Sequence, residues 1–228
     1  MDLLLSRLSI QVCDSVFIKD PESSDLGKKI VVGSIDMLDT MGFDHFTFLK
    51  LAKEIGSTEA SIYRYFESKH KLLLYLTSWY WSWMEYRLMF GIANVPSAIK
   101  KLKIAIRIVT EEVVEDNSFT HINEVKLNRI VVAEASKSYM TKEVDAENKE
   151  GVFVDYKRLV ARISDIVLEC DATYKYPQML ISTVIEGAHS QHFFAEHLPK
   201  LTNVYKGENS VTRFYTELTL SAIGFNEK

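Results

Sequence analysis

Apolar residues along most of this chain recur every three or four positions, the spacing that lines one face of an α-helix. From residue 25 to 41, Ile30, Val31, Ser34, Ile35, Met37 and Leu38 share one broad face. Ser24 or Asp25 stands where a cap is needed, and Gly42 where the helix should stop. A second helix is expected over 48–55, with Leu51, Ala52 and Ile55 inward and the Thr47 hydroxyl placed to accept the Lys50 N–H. Gly56 ends it. A short helix over 58–66 follows, capped by Thr58, with Ala60, Ile62, Tyr63 and Phe66 on its apolar side. Ser68 then caps a long helix to about residue 90, striped by Leu72, Leu76, Trp79, Trp83, Tyr86 and Phe90. Further helices are expected over 97–115, 120–137, 152–170, 177–197 and 210–223, about nine in all. Residues 141–151 read as a charged loop, and 198–209 as a second loop containing Pro199 and Gly207. The first 24 residues differ. Two short β-branched runs, 9–12 and 16–19, flank Cys13, Asp14 and Ser15. They fit a small hairpin or strand-like arm, or an N-terminal tail that is only partly ordered.

Composition strengthens the all-α reading, since four prolines and nine glycines leave few breaks. Hydrophobic residues make up 47%, enough for a packed core. No apolar run is long enough for a membrane span. The apolar start of the chain has Asp2 where a signal peptide carries positive charge, so a cytoplasmic protein is expected. Cys13 and Cys170 form no metal or redox spacing. The net charge of −4 argues mildly against nucleic acid, but it is unevenly spread. Residues 1–26 carry −3, whereas residues 27–75 carry +1. A nucleic-acid site must therefore rest on where the charges stand.

Residues 47–71, TFLKLAKEIGSTEASIYRYFESKHK, hold the most informative pattern. It reads as a helix, a tight glycine turn and a short second helix. Two helices so joined project the second one outward, where it can enter a DNA major groove. Thr58, Ser61 and Arg64 lie on its polar side, and Ala60 leaves room for close approach. Arg64 can donate to guanine or phosphate. Tyr63 and Lys69 can reach phosphates on either side, and Thr47 and Lys50 open the preceding helix. The candidate DNA contacts are thus Thr47, Lys50, Thr58, Ala60, Ser61, Tyr63, Arg64 and Lys69.

These residues resemble the DNA-binding domain of the TetR family of regulators. Residues 30–43 (IVVGSIDMLDTMGF) are similar to its first helix; Thr47, Leu51, Ala52 and Gly56 to its second helix and turn; residues 61–66 (SIYRYF) with Ser68 and Lys69 to its recognition helix and the start of helix 4. The resemblance covers about a fifth of the chain. It implies a helical effector-binding domain, a homodimer, a double-stranded DNA operator and usually repression. It also implies a small-molecule pocket beside helix 4, which one or two of Trp79, Trp83 and Tyr86 would border; taken singly, each of the three reads as a core residue. Three positions depart from the family pattern. Gly33 and Ser34 replace a pair of alanines, Ser57 replaces an apolar residue, and Glu59 puts negative charge on the recognition helix.

Other residues invite a second reading. His189, His192 and Glu196 share a helical face, with His197 nearby. That spacing suits metal ligands, or equally a polar pocket wall or subunit contact. With no HExxH pattern and no cysteine partner, no metal is assigned, and His189 is placed with the candidate effector residues. No nucleophile elbow or glycine-rich phosphate loop occurs, so neither an enzyme nor a cofactor is expected. The expected organisation is an arm over 1–24, a DNA-binding domain over 25–71, and an effector and dimerisation domain over 72–228. The expected function is that of a DNA-binding regulator, a repressor released by a small molecule. The alternatives are a metal-binding protein or enzyme built on His189 and His192, and a helical adaptor with a degenerate helix-turn-helix.

Overall fold

Side-chain caps set many of the helix boundaries in the computed structural model, which describes residues 10–115, 121–204 and 208–225. Ser24 Oγ accepts from the Gly27 N–H at 3.1 Å and opens α1 (Asp25–His45). Thr47 caps α2 (Phe48–Glu54), and Thr58 caps α3 (Glu59–Tyr63). α4 spans Lys69–Ile92, α5 Ala98–Thr110, α6 Glu124–Tyr139 and α7 Val144–Lys149. α8 spans Val154–Cys170, α9 Pro177–His197 and α10 Ser210–Ala222. Each such cap satisfies an N–H that the helix cannot pair internally, worth about 1 kcal/mol. The described residues thus contain ten α-helices and no strand. The helix beyond the nine expected is α7, inside the stretch read as a charged loop. It forms because Glu147 turns inward, only 5% exposed, and its carboxylate meets the His70 ring at 2.8 Å.

The N-terminal expectation needs correction. Residues 10–24 form two 3-10 turns, Asp14–Val16 and Pro21–Ser23, and no hairpin; residues 1–9 lie outside the described residues. Of the β-branched positions, Val16 serves packing, whereas Ile18 is exposed and only its backbone is engaged. Val16 is completely buried, and Phe17 meets Tyr75 edge-on at 6.1 Å. Two backbone groups that a hairpin would use go to the turn after α3 and to α4 instead. The Ile18 N–H donates to the Tyr65 carbonyl at 2.7 Å, and Ser82 Oγ donates to the Gln11 carbonyl at 3.2 Å.

The chain divides into two compact units. The first comprises residues 1–82 and 113–155, and the second residues 83–112 and 156–228. In the first, Ile30, Val31, Ile35 and Leu38 of α1 are buried, as are Leu51 of α2 and Ile62 of α3. α6 packs on α1 and is pinned there by charge pairs. Arg129 grips Asp39 with two bonds of 2.7 Å, and Lys126 reaches Asp36 at 2.7 Å. The forked Arg129 pair is the stronger kind; the exposed Lys126 pair contributes little on its own. In the second unit, α5, α9 and α10 bury Leu102, Ile106, Ile181, Val184, Ile185, Ala188, Val211 and Tyr215. Glu85 there is buried between Arg158, at 2.5 Å, and Arg162.

Close approach of the Pro21–Ser23 turn to α1 depends on Gly27. A Cβ at that position would stand 2.1 Å from the Pro21 carbonyl oxygen. Backbone has no rotamer with which to yield, so Gly27→Ala should destabilise the chain by about 1–3 kcal/mol. A thermal melt reads this as a lower midpoint, and an unchanged midpoint would show that the turn does not rest on α1.

Candidate nucleic-acid interface

The turn between α2 and α3 closes as a Schellman motif. The Ser57 N–H donates to the Ala52 carbonyl at 2.8 Å and the Gly56 N–H to the Lys53 carbonyl at 3.4 Å, with Gly56 at φ 65°. That left-handed backbone is cheap only for glycine. Ser57 contributes only its backbone N–H here, which any residue but proline supplies, and nothing in the structure explains its polar side chain. Gly33 is explained, because a Cβ there would stand 2.7 Å from Ile55 Cγ2. The glycine costs α1 some helix propensity and lets α2 come close.

α3 is anchored on one side and open on the other. Ile62 is 0% exposed, and Tyr65 and Phe66 follow it into the core. Thr58, Ala60, Tyr63 and Arg64 are exposed, with Glu59 and Ser61 half-buried. Thr58 Oγ1 accepts from the Ser61 N–H at 3.2 Å and lies 2.9 Å from Ser61 Oγ. Arg64 reaches Ser61 Oγ at only 3.4 Å, a long and exposed contact. Tyr63 packs edge-on against Phe48 at 5.0 Å, which orients its ring while leaving it 48% exposed. The open side is thus a row of donors, a small residue, an aromatic and a guanidinium, a set suited to phosphates and base edges.

Two of the expected contact residues are engaged within the protein. The α1 helix breaks at Gly42 (φ 71°), so the carbonyls that follow lack helical partners. Lys69 Nζ donates to the carbonyls of Phe43 (2.9 Å), Phe46 (3.2 Å) and Asp44 (3.5 Å), and sits 4.5 Å from the Phe43 ring centroid. Lys50 Nζ donates to the His45 carbonyl at 2.8 Å. Thr47 lies exposed at the start of α2, its hydroxyl accepting from the Lys50 N–H at 3.2 Å. Two residues of α6 join the same turn, and no local sequence signal marks them. Glu134 Oε1 accepts from the Phe43 N–H at 2.9 Å. Lys137 pairs with Asp44 and with Glu134 Oε2, each at 2.9 Å, and those carboxylates, Asp44 first, hold its ammonium above the ordinary lysine value.

The candidate effector residues are mostly in the core. Trp79, in the first unit, and Trp83 and His189, in the second, are buried; Tyr86 is half-buried and meets Phe90 at 4.5 Å. Phe90 itself is exposed, so the stripe of α4 does not stay inward to its end. Burial pushes the His189 ring down to about 4. His192 donates through Nε2 to the Thr110 carbonyl at 2.8 Å, and Glu196 and His197 are exposed. Among the described residues no group of three or more His, Cys, Asp or Glu is arranged to hold a metal ion. A half-open groove of about 450 Å³ lies between the end of α9, residues 201–204 and the start of α10, lined by Gln191, Thr202, Ser210 and Phe214 among others.

A helix pair closed by a glycine turn, with the second helix open along one side, defines a helix-turn-helix DNA-binding regulator. Residues 30–76 match the family model described as "Bacterial regulatory proteins, tetR family". The chain carries that family's DNA-binding domain and has its fold. A search of curated protein sequences gave no match. Among solved structures, a tetR-family regulatory protein from Rhodococcus RHA1 is similar with TM-score 0.60 and 12% identity, over 90% of this chain and 100% of that one. The ketosteroid regulator KstR2 of Mycobacterium tuberculosis is similar with TM-score 0.55 and 12% identity, over 97% and 100%. FadR of Bacillus subtilis, in complex with stearoyl-CoA, gives TM-score 0.57 and 16% identity, over 86% and 98%.

Lys69→Met should lower the free energy of unfolding by about 1–2 kcal/mol, since it strips three carbonyls of their donor. Urea titration reads this, and equal stabilities would leave the lysine without a capping role. For His189 the folded value lies below the ordinary one, so its contribution is complete above pH 6.5 and is lost as pH falls toward about 4. Stability should fall across that window at up to about 1.4 kcal/mol per pH unit for this one proton. His189→Gln should flatten the decline, and identical pH profiles for the two proteins would contradict the assignment.

Proposed function

We propose that the protein is a cytoplasmic, homodimeric transcriptional repressor that binds a palindromic DNA operator and is released from it by a small molecule. The observation that carries this reading is the one-sided exposure of α3, with Ile62 buried and Thr58, Ala60, Tyr63 and Arg64 in solvent. Residues 25–71 make the DNA contact. Arg64, with the weakest internal tether, reads a guanine or clamps a phosphate, flanked by Ser61 and Tyr63. Thr47 and Lys50 meet the backbone at the start of α2. Lys69 acts on DNA chiefly by shaping the turn before α2, and any phosphate it meets must compete with the carbonyls it already serves.

Residues 72–228 sense the effector and join the subunits. The two-helix face of α9 and α10 supports self-association, because Met179, Phe193, Phe214 and Leu218 are exposed there. Two such helices from each subunit can bury a four-helix bundle. A two-fold dimer sets half-sites about one helical turn apart, about 34–36 Å. In this reading the effector site lies in the second unit, where Trp83, Tyr86 and His189 are the candidates and a small molecule must open packed space; Trp79 of the first unit is a candidate by sequence alone. A protein of this fold solved with stearoyl-CoA supports a small-molecule occupant in general, though not that particular one. The effector favours the subunit arrangement that cannot bind DNA and shifts the population toward it.

Fluorescence anisotropy with the DNA upstream of the protein's own gene tests this. Binding should weaken steeply with salt. Arg64→Ala should lower affinity by about 1–3 kcal/mol, about fivefold to a hundredfold, without changing the melting midpoint. Unchanged affinity in Arg64→Ala would remove α3 from the interface.

A further inference from the structure

Every peptide group of the turn that feeds α2 is claimed by a side chain from elsewhere, and one claimant is a buried acid. Glu134 is only 7% exposed, yet it lies on α6, 91 residues from its partner, the Phe43 N–H. Its other oxygen is neutralised by Lys137, which also holds Asp44. On the opposite side of the same turn, Lys69 draws in the carbonyls of Phe43 and Phe46, and Lys50 takes that of His45. Gly42 owes its place to its backbone, at φ 71°, because a Cβ there would meet Glu134 Oε1 at an ordinary 3.6 Å. The next residue after this turn is Thr47, the cap of α2. The direction of α2, and of α3 with it, is therefore set by hydrogen bonds at this turn, of which α6 supplies the one to the Phe43 N–H.

We propose that Glu134 is a positioning residue for DNA binding: by holding the Phe43 N–H it fixes the helix-turn-helix against α6. The inference rests on the regulator reading above and deepens it. It also assigns a route by which a displaced α6 would lower DNA affinity, because a hydrogen bond weakens as its partners separate and weakens steeply when they are misaligned. Neither Glu134 nor Lys137 lies on the open side of α3, so neither is counted as a DNA contact.

Length, and not charge, should then govern the outcome. Glu134→Gln keeps an acceptor oxygen at the same reach, whereas Glu134→Asp keeps the charge but withdraws the oxygen by one methylene. The full-length protein and both variants are titrated with the upstream DNA across a salt series, and exchange of the Phe43 amide is followed by NMR. We expect Glu134→Gln to bind within threefold of the original. We expect Glu134→Asp to bind at least tenfold more weakly, with a shallower dependence on log salt as phosphate contacts are lost. Mere loss of stability would weaken binding without changing that slope. The Phe43 amide should exchange at least tenfold faster in Glu134→Asp than in Glu134→Gln. Equal affinities and slopes for the two variants, or the reverse order, would overturn the proposal. If the original protein binds no DNA, the regulator reading fails, and the amide exchange still decides whether Glu134 holds the turn.

Discussion

A helix that stops must dispose of its last carbonyls, and here the way it does so decides where the DNA-binding surface points. α1 breaks at Gly42, and the four residues that follow have no helical partners for most of their carbonyl groups. Lysine ammonium groups from α2 and α4 occupy these acceptors, and a carboxylate from α6 takes the Phe43 N–H. Satisfying those groups is obligatory, because a polar backbone group left without a partner under cover costs about 1–3 kcal/mol. Three helices are thereby drawn to one five-residue turn. Hydrophobic burial gives the unit its stability, but burial is indifferent to small rotations; the directional bonds at the turn are not.

The same economy explains the division of labour among the basic residues. The helix-turn-helix segment carries little net positive charge, and two of its lysines are spent on internal carbonyls. On the open side of α3 the cation left for an external anion is Arg64. Such a surface binds through a few well-placed donors and lacks a broad electrostatic field. In the second unit the charges are likewise inward-looking. Glu85 is enclosed by Arg158 and Arg162, and the α5 terminus is tied to its neighbours by the His192 bond to the Thr110 carbonyl and by Thr110 Oγ1, 2.9 Å from Thr212 Oγ1.

The local parts of this structure were legible in the sequence because their causes are local. Thr47 and Thr58 cap as their positions implied, Gly56 turns the chain, and Ile62 faces inward while Arg64 does not. Even Gly33, which departs from the family pattern, is explained by a contact with Ile55 only 22 positions away. The misreadings have non-local causes. Val16 and Ile18 carry strand-like side chains, yet Val16 found burial and the Ile18 N–H a carbonyl in the turn after α3, and no hairpin formed. α7 was hidden because the carboxylate that anchors it finds its histidine 77 residues earlier. Glu134, Lys137 and Arg129 carry no local signal, since nothing in their own neighbourhood points to α1.

The first unit is discontinuous: α6 and α7 are separated from α1 by some ninety residues, and residues 83–112, which intervene, belong to the second unit. On the ribosome, α1, α2 and α3 emerge well before the helix that braces them. Until α6 arrives, the turn after Gly42 has its lysines but not its acid, and α1 exposes the acidic side that Lys126 and Arg129 later cover. Synthesis therefore imposes an order, in which the most recognisable part of the chain is made early and completed late. A fragment cut to the boundaries of the family match would carry the recognisable residues without the strut that orients them.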